Sequence, residues 1–258
     1  MKTPAIPERV FGLCKVLKKK NMSEDNLREL FEPSYLEQKT PYFGSVKVAA
    51  QQLGLISVKE NEISLAVDEQ EVETINDMRR YIIKHIRNIE DGLFYDVTKQ
   101  YLKLGDKVLN YSSITSNEMM DYMCRSTGKT VIEDDMRAWR FWSTFLGFGY
   151  LHDMRVLPNM YQYLLNVLSI MNLKFNKEYQ FSEFVQLIRP YCEIALDGCE
   201  DEHKLNYALS NGLRMLYDEG IIELNHKLDG GEMWYLYETE LHPIKSIVNS
   251  VTIKEAIG

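Results

Sequence analysis

Apolar residues recur at three- and four-residue spacings in three short stretches near the start of the chain. This spacing places apolar side chains on one face of a helix, so it predicts three amphipathic helices. The helices are expected over residues 7–20, 23–33 and 43–53. Ser23 is a suitable capping residue for the second helix, and Gly54 can end the third in a left-handed conformation.

The pattern changes from helical to alternating directly after Gly54. The stretch ISVKENEISLAV predicts two short strands around a turn at Glu60, Asn61 and Glu62. The first seventy residues are therefore expected to form three helices followed by a β-hairpin.

The passage from an amphipathic helix through a glycine into an apolar strand occurs twice more. Residues 137–159 pass through Gly147, and residues 205–238 pass through Gly220. In the last stretch we predict a strand, a turn at residues 229–231 (Asp-Gly-Gly) and a second, aromatic strand, which together form a longer hairpin.

Three helices followed by a hairpin, with the sequence LGLI at the junction, resemble the winged-helix superfamily. This resemblance implies a mainly α fold with short β-hairpins (α+β), built from tandem winged-helix units joined by linker helices. The predicted boundaries are 1–70 for the first unit, 71–110 for linker helices and 111–160 for the second unit. Residues 161–258 then contain the apolar helix MYQYLLNVLSIM, expected to be buried between units, and the third unit.

Composition narrows the class of protein without defining its function. Hydrophobic residues make up 45% and charged residues 26%, as in folded globular chains. No apolar run is long enough for a membrane span, and the opening MKTPAIPERV lacks the apolar stretch of a secretory signal, so we expect a cytoplasmic protein with no membrane partner.

The charged residues are unevenly distributed along the chain. Residues 1–110 are balanced in charge, and residues 111–258 carry the whole net charge of −8. A polyanion is therefore expected to meet the N-terminal half first.

No pattern of catalytic or metal-ligating residues emerges. CRSTGKT lacks the first glycine of a phosphate-binding loop, because that position is Met123. Cys199 and His203 are four residues apart but have no second ligand pair, and the acidic residues 133–135 and 200–202 precede predicted helices, where carboxylates act as caps. We therefore predict a protein that is not an enzyme and has no cofactor or metal.

Winged-helix units commonly bind DNA through the third helix and the hairpin, or wing. In the first unit, this resemblance selects Lys47 and Gln51 on the helix and Lys59 on the wing as DNA-binding candidates. In the second unit it selects Arg137 and Arg140.

The two arginines flank Trp139 and Trp142, and two interpretations of this cluster stay open. Either arginine and aromatic rings act together on nucleic acid, or the tryptophans fill the core while the arginines extend outward. The third unit offers Arg214 among acidic neighbours.

The opening PERVFGLCKVLKKKNMSEDNLRELF and the later RAWRFWSTFLGFG also resemble DpdG-type accessory proteins of bacterial DNA-modification and defence islands. This resemblance implies a non-catalytic helper with antiviral relevance. Two functions are thus expected as alternatives. The first is a DNA-associated adaptor that binds double-stranded DNA and partner proteins of a larger complex; the second is a protein-only scaffold of the tandem winged-helix type.

Overall fold

Ten α-helices and ten short β-strands form the described part of the chain, which in this computed structural model comprises residues 2–36, 41–89, 92–171, 173–199, 202–240, 242–244 and 246–255. The helices are α1 (Pro7–Leu17), α2 (Glu24–Phe31), α3 (Phe43–Gln52), α4 (Ile75–Lys84), α5 (Leu93–Leu104), α6 (Asn117–Thr127), α7 (Glu133–Leu146), α8 (Tyr161–Met171), α9 (Phe181–Leu196) and α10 (Tyr207–Asp218). The strands are β1 (Met22–Ser23), β2 (Ile56–Lys59), β3 (Glu62–Leu65), β4 (Gly149–His152), β5 (Arg155–Pro158), β6 (Glu178–Gln180), β7 (Ile222–Asn225), β8 (Trp234–Tyr235), β9 (Ile247–Val248) and β10 (Ser250–Ile253). The strand pairs are all antiparallel, which confirms the predicted α+β class.

The first unit consists of α1, β1, α2, α3, β2 and β3. Ser23 caps α2, because its hydroxyl accepts a hydrogen bond from the Asn26 amide at 3.4 Å. Glu60 and Asn61 have φ values of 49° and 84°, a left-handed geometry that suits a tight two-residue hairpin turn. The three predicted helices and the hairpin are confirmed. The two-residue strand β1, which pairs with β3 to complete a sheet of order β1-β3-β2, was not predicted.

The second unit consists of α5, α6, α7, β4 and β5. Helix α5, which falls in the predicted linker 71–110, packs against both α6 and α7. The segment before α6 lies along the hairpin, since the Ile114 amide donates to the Met154 carbonyl at 3.0 Å and Arg155 Nε donates to the Tyr111 carbonyl at 2.6 Å. This unit therefore has a helical core with a two-stranded hairpin.

The third unit consists of α8, β6, α9, α10, β7 and β10. Its sheet has the order β6-β10-β7, in which the last strand lies in the middle, as in the first unit. The predicted partner of β7 was wrong: β7 pairs with β10, whereas the aromatic strand β8 pairs with β9. The chain does turn after Lys227, where the Gly230 amide donates to the Lys227 carbonyl at 3.0 Å, but it then leaves the sheet before returning at β10.

The apolar helix α8 is largely buried, and it joins the third unit to α4 of the linker. It packs against α4 on one side and α10 on the other, and Tyr163, Leu164 and Val167 are fully buried. Gly212 allows the approach of α10, because a Cβ atom there would lie 2.7 Å from the Met160 carbonyl carbon. Buried apolar residues of all three units belong to one continuous core. Within the described ranges, no helix is long and apolar enough to cross a membrane.

Candidate nucleic-acid interface

Helix α3 presents one buried face and one exposed face. Val46 and Ala50 are buried in the core, whereas Val48, Gln51 and Gln52 are exposed. Lys47 and Gln51 are four residues apart, which places them one above the other on the helix. The outer side of α3 is thus accessible, as a helix that enters a DNA groove must be, and it carries the two glutamines together with Val48.

Lys47 is held by an ion pair. Its Nζ lies 2.6 Å from Glu24 Oε2, its side chain is only 19% exposed, and Arg28 contacts the same carboxylate at 3.1 Å. The hydrogen bond from Lys47 lowers the pKa of Glu24, so this carboxylate stays ionised at neutral pH. The positive charge of Lys47 is therefore partly neutralised within the protein.

Glu24 also connects α3 with the hairpin, because its backbone amide donates to the Asn61 carbonyl at 3.1 Å. Lys59 is exposed at the end of β2, opposite Glu62 on β3. The start of α2 therefore lies between Lys47 and the hairpin turn. Of the five predicted residues, Lys47, Gln51 and Lys59 belong to one unit and to neighbouring elements.

The two predicted arginines lie on α7, in a different unit. Arg137 forms an ion pair with Glu133 one turn earlier on α7. Arg140 lies over the ring of Phe141, with its guanidinium carbon 4.8 Å from the ring centroid. The described hydrogen bonds and ion pairs do not join either arginine to α3.

The tryptophans of α7 are core residues. Trp139 donates to Thr98 Oγ1 at 2.9 Å, and Trp142 donates to the Ala5 carbonyl at 2.7 Å. Both rings are buried, which confirms that the tryptophans fill the core. Arg137 extends outward, whereas Arg140 is only partly exposed and its Nε is buried. The arginines consequently have no tryptophan surface beside them, and the aromatic partner of Arg140 is a phenylalanine.

Helix α10 of the third unit is covered by its neighbours. Arg214 is only 4% exposed and donates to the Tyr237 carbonyl at 2.7 Å. α10 packs against α8 and α5, so its third-helix face is buried. Arg214 is therefore part of the packing of the third unit and does not lie on an accessible surface.

The candidate catalytic and metal-binding groups have structural partners. Asp135 accepts a hydrogen bond from the Ile132 amide at 3.1 Å and caps α7, as predicted. The Cys199 thiol is buried and donates to the Ala195 carbonyl at 3.4 Å, while His203 stacks on Trp234. Glu200 and Asp201 of the second acidic cluster lie outside the described residues. Across the described residues, no group of three or more His, Cys, Asp and Glu side chains could hold a metal ion.

One cation with an unusual environment was not singled out from the sequence. Arg79 of α4 lies over the ring of Phe145 of α7, with its guanidinium carbon 4.8 Å from the ring centroid. The sequence signal is only the pair Arg79-Arg80 on a helix whose apolar face points elsewhere. The pairing joins the linker helix α4 to α7 of the second unit, and residues 66 positions apart leave no local pattern in the sequence.

Comparison of the chain with protein-family models, with curated proteins and with solved structures found no match.

Proposed function

We propose that this protein is a non-catalytic adaptor that binds double-stranded DNA through α3 and the β2–β3 hairpin of its first unit. The observation that carries the proposal is the exposed polar face of α3 beside an exposed hairpin turn. Gln51 and Gln52 offer amide groups, which can form paired hydrogen bonds with adenine in the major groove. Lys59 supplies a positive charge on the hairpin for the DNA backbone.

The repeated order of elements supports a tandem winged-helix architecture as part of this proposal. In the first and third units, a strand between the first two helices joins the two strands that follow the third helix, and the last strand lies in the middle of the sheet. The units differ in what they leave accessible, since α3 has an open face and α10 does not. We assign DNA contact to the first unit and support of the assembly to the third.

The charge distribution argues for an adaptor rather than an autonomous DNA-binding protein. Affinity for DNA grows with the number of phosphates that lysine and arginine neutralise. Lys47 and Arg28 share Glu24, and Arg137 pairs with Glu133, so few cations of the candidate surface are available. We propose that partner proteins of a DNA-processing complex supply the remaining affinity. The resemblance to DpdG-type proteins favours a phage-defence complex.

The test is the binding of labelled duplex DNA, followed by fluorescence anisotropy across a salt series. We expect Lys59→Glu, alone or with Lys47→Glu, to weaken binding severalfold. Glu24→Gln removes the carboxylate that neutralises Lys47, so it should strengthen DNA binding at low salt. The slope of the logarithm of the binding constant against the logarithm of the salt concentration should become steeper by roughly one, as expected for one additional phosphate contact. Lys107→Glu makes the same charge change at an exposed site outside the candidate surface and should leave binding almost unchanged.

Equal weakening by Lys59→Glu and Lys107→Glu would remove the first unit from the DNA site. No binding of the wild-type protein at low salt would exclude DNA binding by the isolated chain. Circular dichroism of each variant shows whether the fold is intact.

A protein-binding scaffold is the second candidate, and the β4–β5 hairpin favours it. This hairpin exposes Tyr150, Leu151 and Met154 by 54%, 49% and 49%. Adjacent exposed apolar side chains are typical of surfaces that bind other proteins. If the protein acts only as a scaffold, Leu151→Ser should reduce co-purification of its cellular partners, whereas Lys59→Glu should not.

A further inference from the structure

A small polar cavity lies between α4 and α8, away from the candidate DNA surface. Its volume is about 140 Å³. Its lining residues are Asn76, Arg79, Arg80, Gln162, Leu165, Asn166 and Ser169. Two of these side chains are cationic, three are amides and none is a carboxylate. The cavity is therefore suited to an anion.

Arg79 has a hydrogen-bond donor without a partner. One terminal nitrogen donates to Asn76 Oδ1 at 2.9 Å, and the guanidinium lies over Phe145. Its Nε is buried and has no hydrogen-bond partner within the described structure. Buried polar groups are normally paired, and this unpaired donor belongs to a side chain that also lines the cavity.

Asp77, the carboxylate nearest to this pair of arginines in sequence, has other partners. It accepts hydrogen bonds from the Thr74 amide at 2.8 Å and the Thr74 hydroxyl at 2.6 Å, which cap α4, and it pairs with Arg80. Arg80 therefore has one carboxylate beside it, whereas Arg79 has no described ion pair. The two guanidinium groups together carry more positive charge than this single carboxylate balances.

We propose that this cavity binds a phosphate group, held by Arg79 and Arg80 and by hydrogen bonds from the polar side chains of α8. Arginine is well suited to phosphate because its planar donors match the oxygen atoms. The cavity is large enough for a phosphate group. The phosphate comes either from a free or monoester phosphate or from a nucleic-acid backbone. The site is independent of the DNA surface on α3.

The experiment compares inorganic phosphate with chloride at equal ionic strength, using the full-length protein. The readouts are the melting temperature and the NMR signal of the Arg79 Nε–H group, which a bound phosphate oxygen should shift. We expect Arg80→Gln to weaken phosphate binding about tenfold, the usual effect of losing one charge-assisted hydrogen bond. Arg125→Gln, which changes an exposed arginine on α6, serves as the matched control.

Arg79→Lys provides a second variant that keeps the charge but removes the Nε–H donor, and we expect it also to weaken binding. Adding a short duplex distinguishes the two sources. If the duplex displaces phosphate from Arg79, the ligand is a nucleic-acid backbone; if phosphate stays bound, the ligand is a free or monoester phosphate. Equal effects of phosphate and chloride, or equal loss in Arg80→Gln and Arg125→Gln, would overturn the proposal.

Discussion

Gly147 is the residue at which backbone conformation and packing are most tightly linked. It ends α7 with a φ of 93°, and a Cβ atom there would lie 2.6 Å from the Tyr163 backbone nitrogen at the start of α8. Gly128 ends α6 in a similar way, with a φ of 67°, but a Cβ atom there would meet no atom within 4 Å. A side chain at Gly128 would therefore meet only the conformational cost of a positive φ, whereas a side chain at Gly147 would also clash with α8.

We predict that Gly147→Ala destabilises the protein more than Gly128→Ala does. The left-handed backbone should cost about 1–2 kcal/mol in either variant. Overpacking against α8 should add about 1–3 kcal/mol in Gly147→Ala alone. Urea unfolding followed by circular dichroism measures both free energies of unfolding. Similar losses in the two variants would contradict the prediction.

The sequence predicts the backbone conformation of the junction glycines but not their contacts. Gly54, Gly147 and Gly220 are predicted from helix-to-strand junctions, and all three have positive φ values of 70°, 93° and 73°. The contact of Gly147 with Tyr163 was not predictable, because it depends on how α8 folds back on α7. Conformation is encoded locally, whereas close packing is a property of the assembled chain.

Asn249 determines the path of the long connection between β7 and β10. Its side chain is fully buried, accepts from the Lys227 amide at 2.9 Å and donates to the Lys227 carbonyl at 2.7 Å. Gly230 passes so close that a Cβ atom there would lie 2.3 Å from Asn249 Nδ2. One amide side chain thus substitutes for the strand that a simple hairpin would have placed beside Lys227.

We predict that Asn249→Ala lowers the free energy of unfolding by about 2 kcal/mol, because the Lys227 amide loses its partner and the Lys227 carbonyl keeps only the bond from the Gly230 amide. Amide hydrogen exchange should show faster exchange at Lys227 in this variant. Asn110→Ala, at an exposed position, is the control and should change little. Unchanged protection of the Lys227 amide in Asn249→Ala would show that the connection does not depend on this side chain.

Elements with a strong local period were predictable, and elements defined by distant partners were not. α1, α2 and α3 follow from apolar spacing, and the β2–β3 hairpin from alternation around Asn61. β1 has two residues, too few for any period. β7 was given the wrong partner because the nearest strand-like stretch is not the one that pairs with it. The candidate DNA residues on α3 and the hairpin were inferred by resemblance, but the Lys47–Glu24 ion pair spans 23 positions and left no signal.

Contacts between units make the whole molecule one packed body. Two ion pairs join α5 of the second unit to the residue that follows α9 in the third, because Lys99 and Lys103 contact Asp197 at 3.2 Å and 2.6 Å. Cys14 in the first unit and Cys192 in the third are both buried in the same core. Burial raises the pKa of Cys14 to about 12 and also raises the pKa of Cys192.

We predict that Cys14 and Cys192 become reactive at the same denaturant concentration. Thiolate is the reactive form, and the raised pKa values keep both thiols protonated at neutral pH until the core opens. Mass spectrometry after iodoacetamide labelling across a urea series measures each site separately. Cys124, which is partly exposed, should react at lower urea concentrations, so it is the control that shows the labelling reaction is working. Two separate midpoints for Cys14 and Cys192 would mean that the units unfold independently.

The bond from Trp142 to Ala5 provides an optical probe of how the N-terminal segment is seated. Tryptophans occur at 139, 142 and 234, all are buried, and the first unit has none. The indole N–H of Trp142 nevertheless donates a hydrogen bond to the Ala5 carbonyl, in the segment before α1. Emission from Trp142 should therefore shift to longer wavelength when that segment detaches, even while α7 stays folded. In a variant whose other tryptophans are replaced by phenylalanine, fluorescence would record the release of the first unit without any added dye.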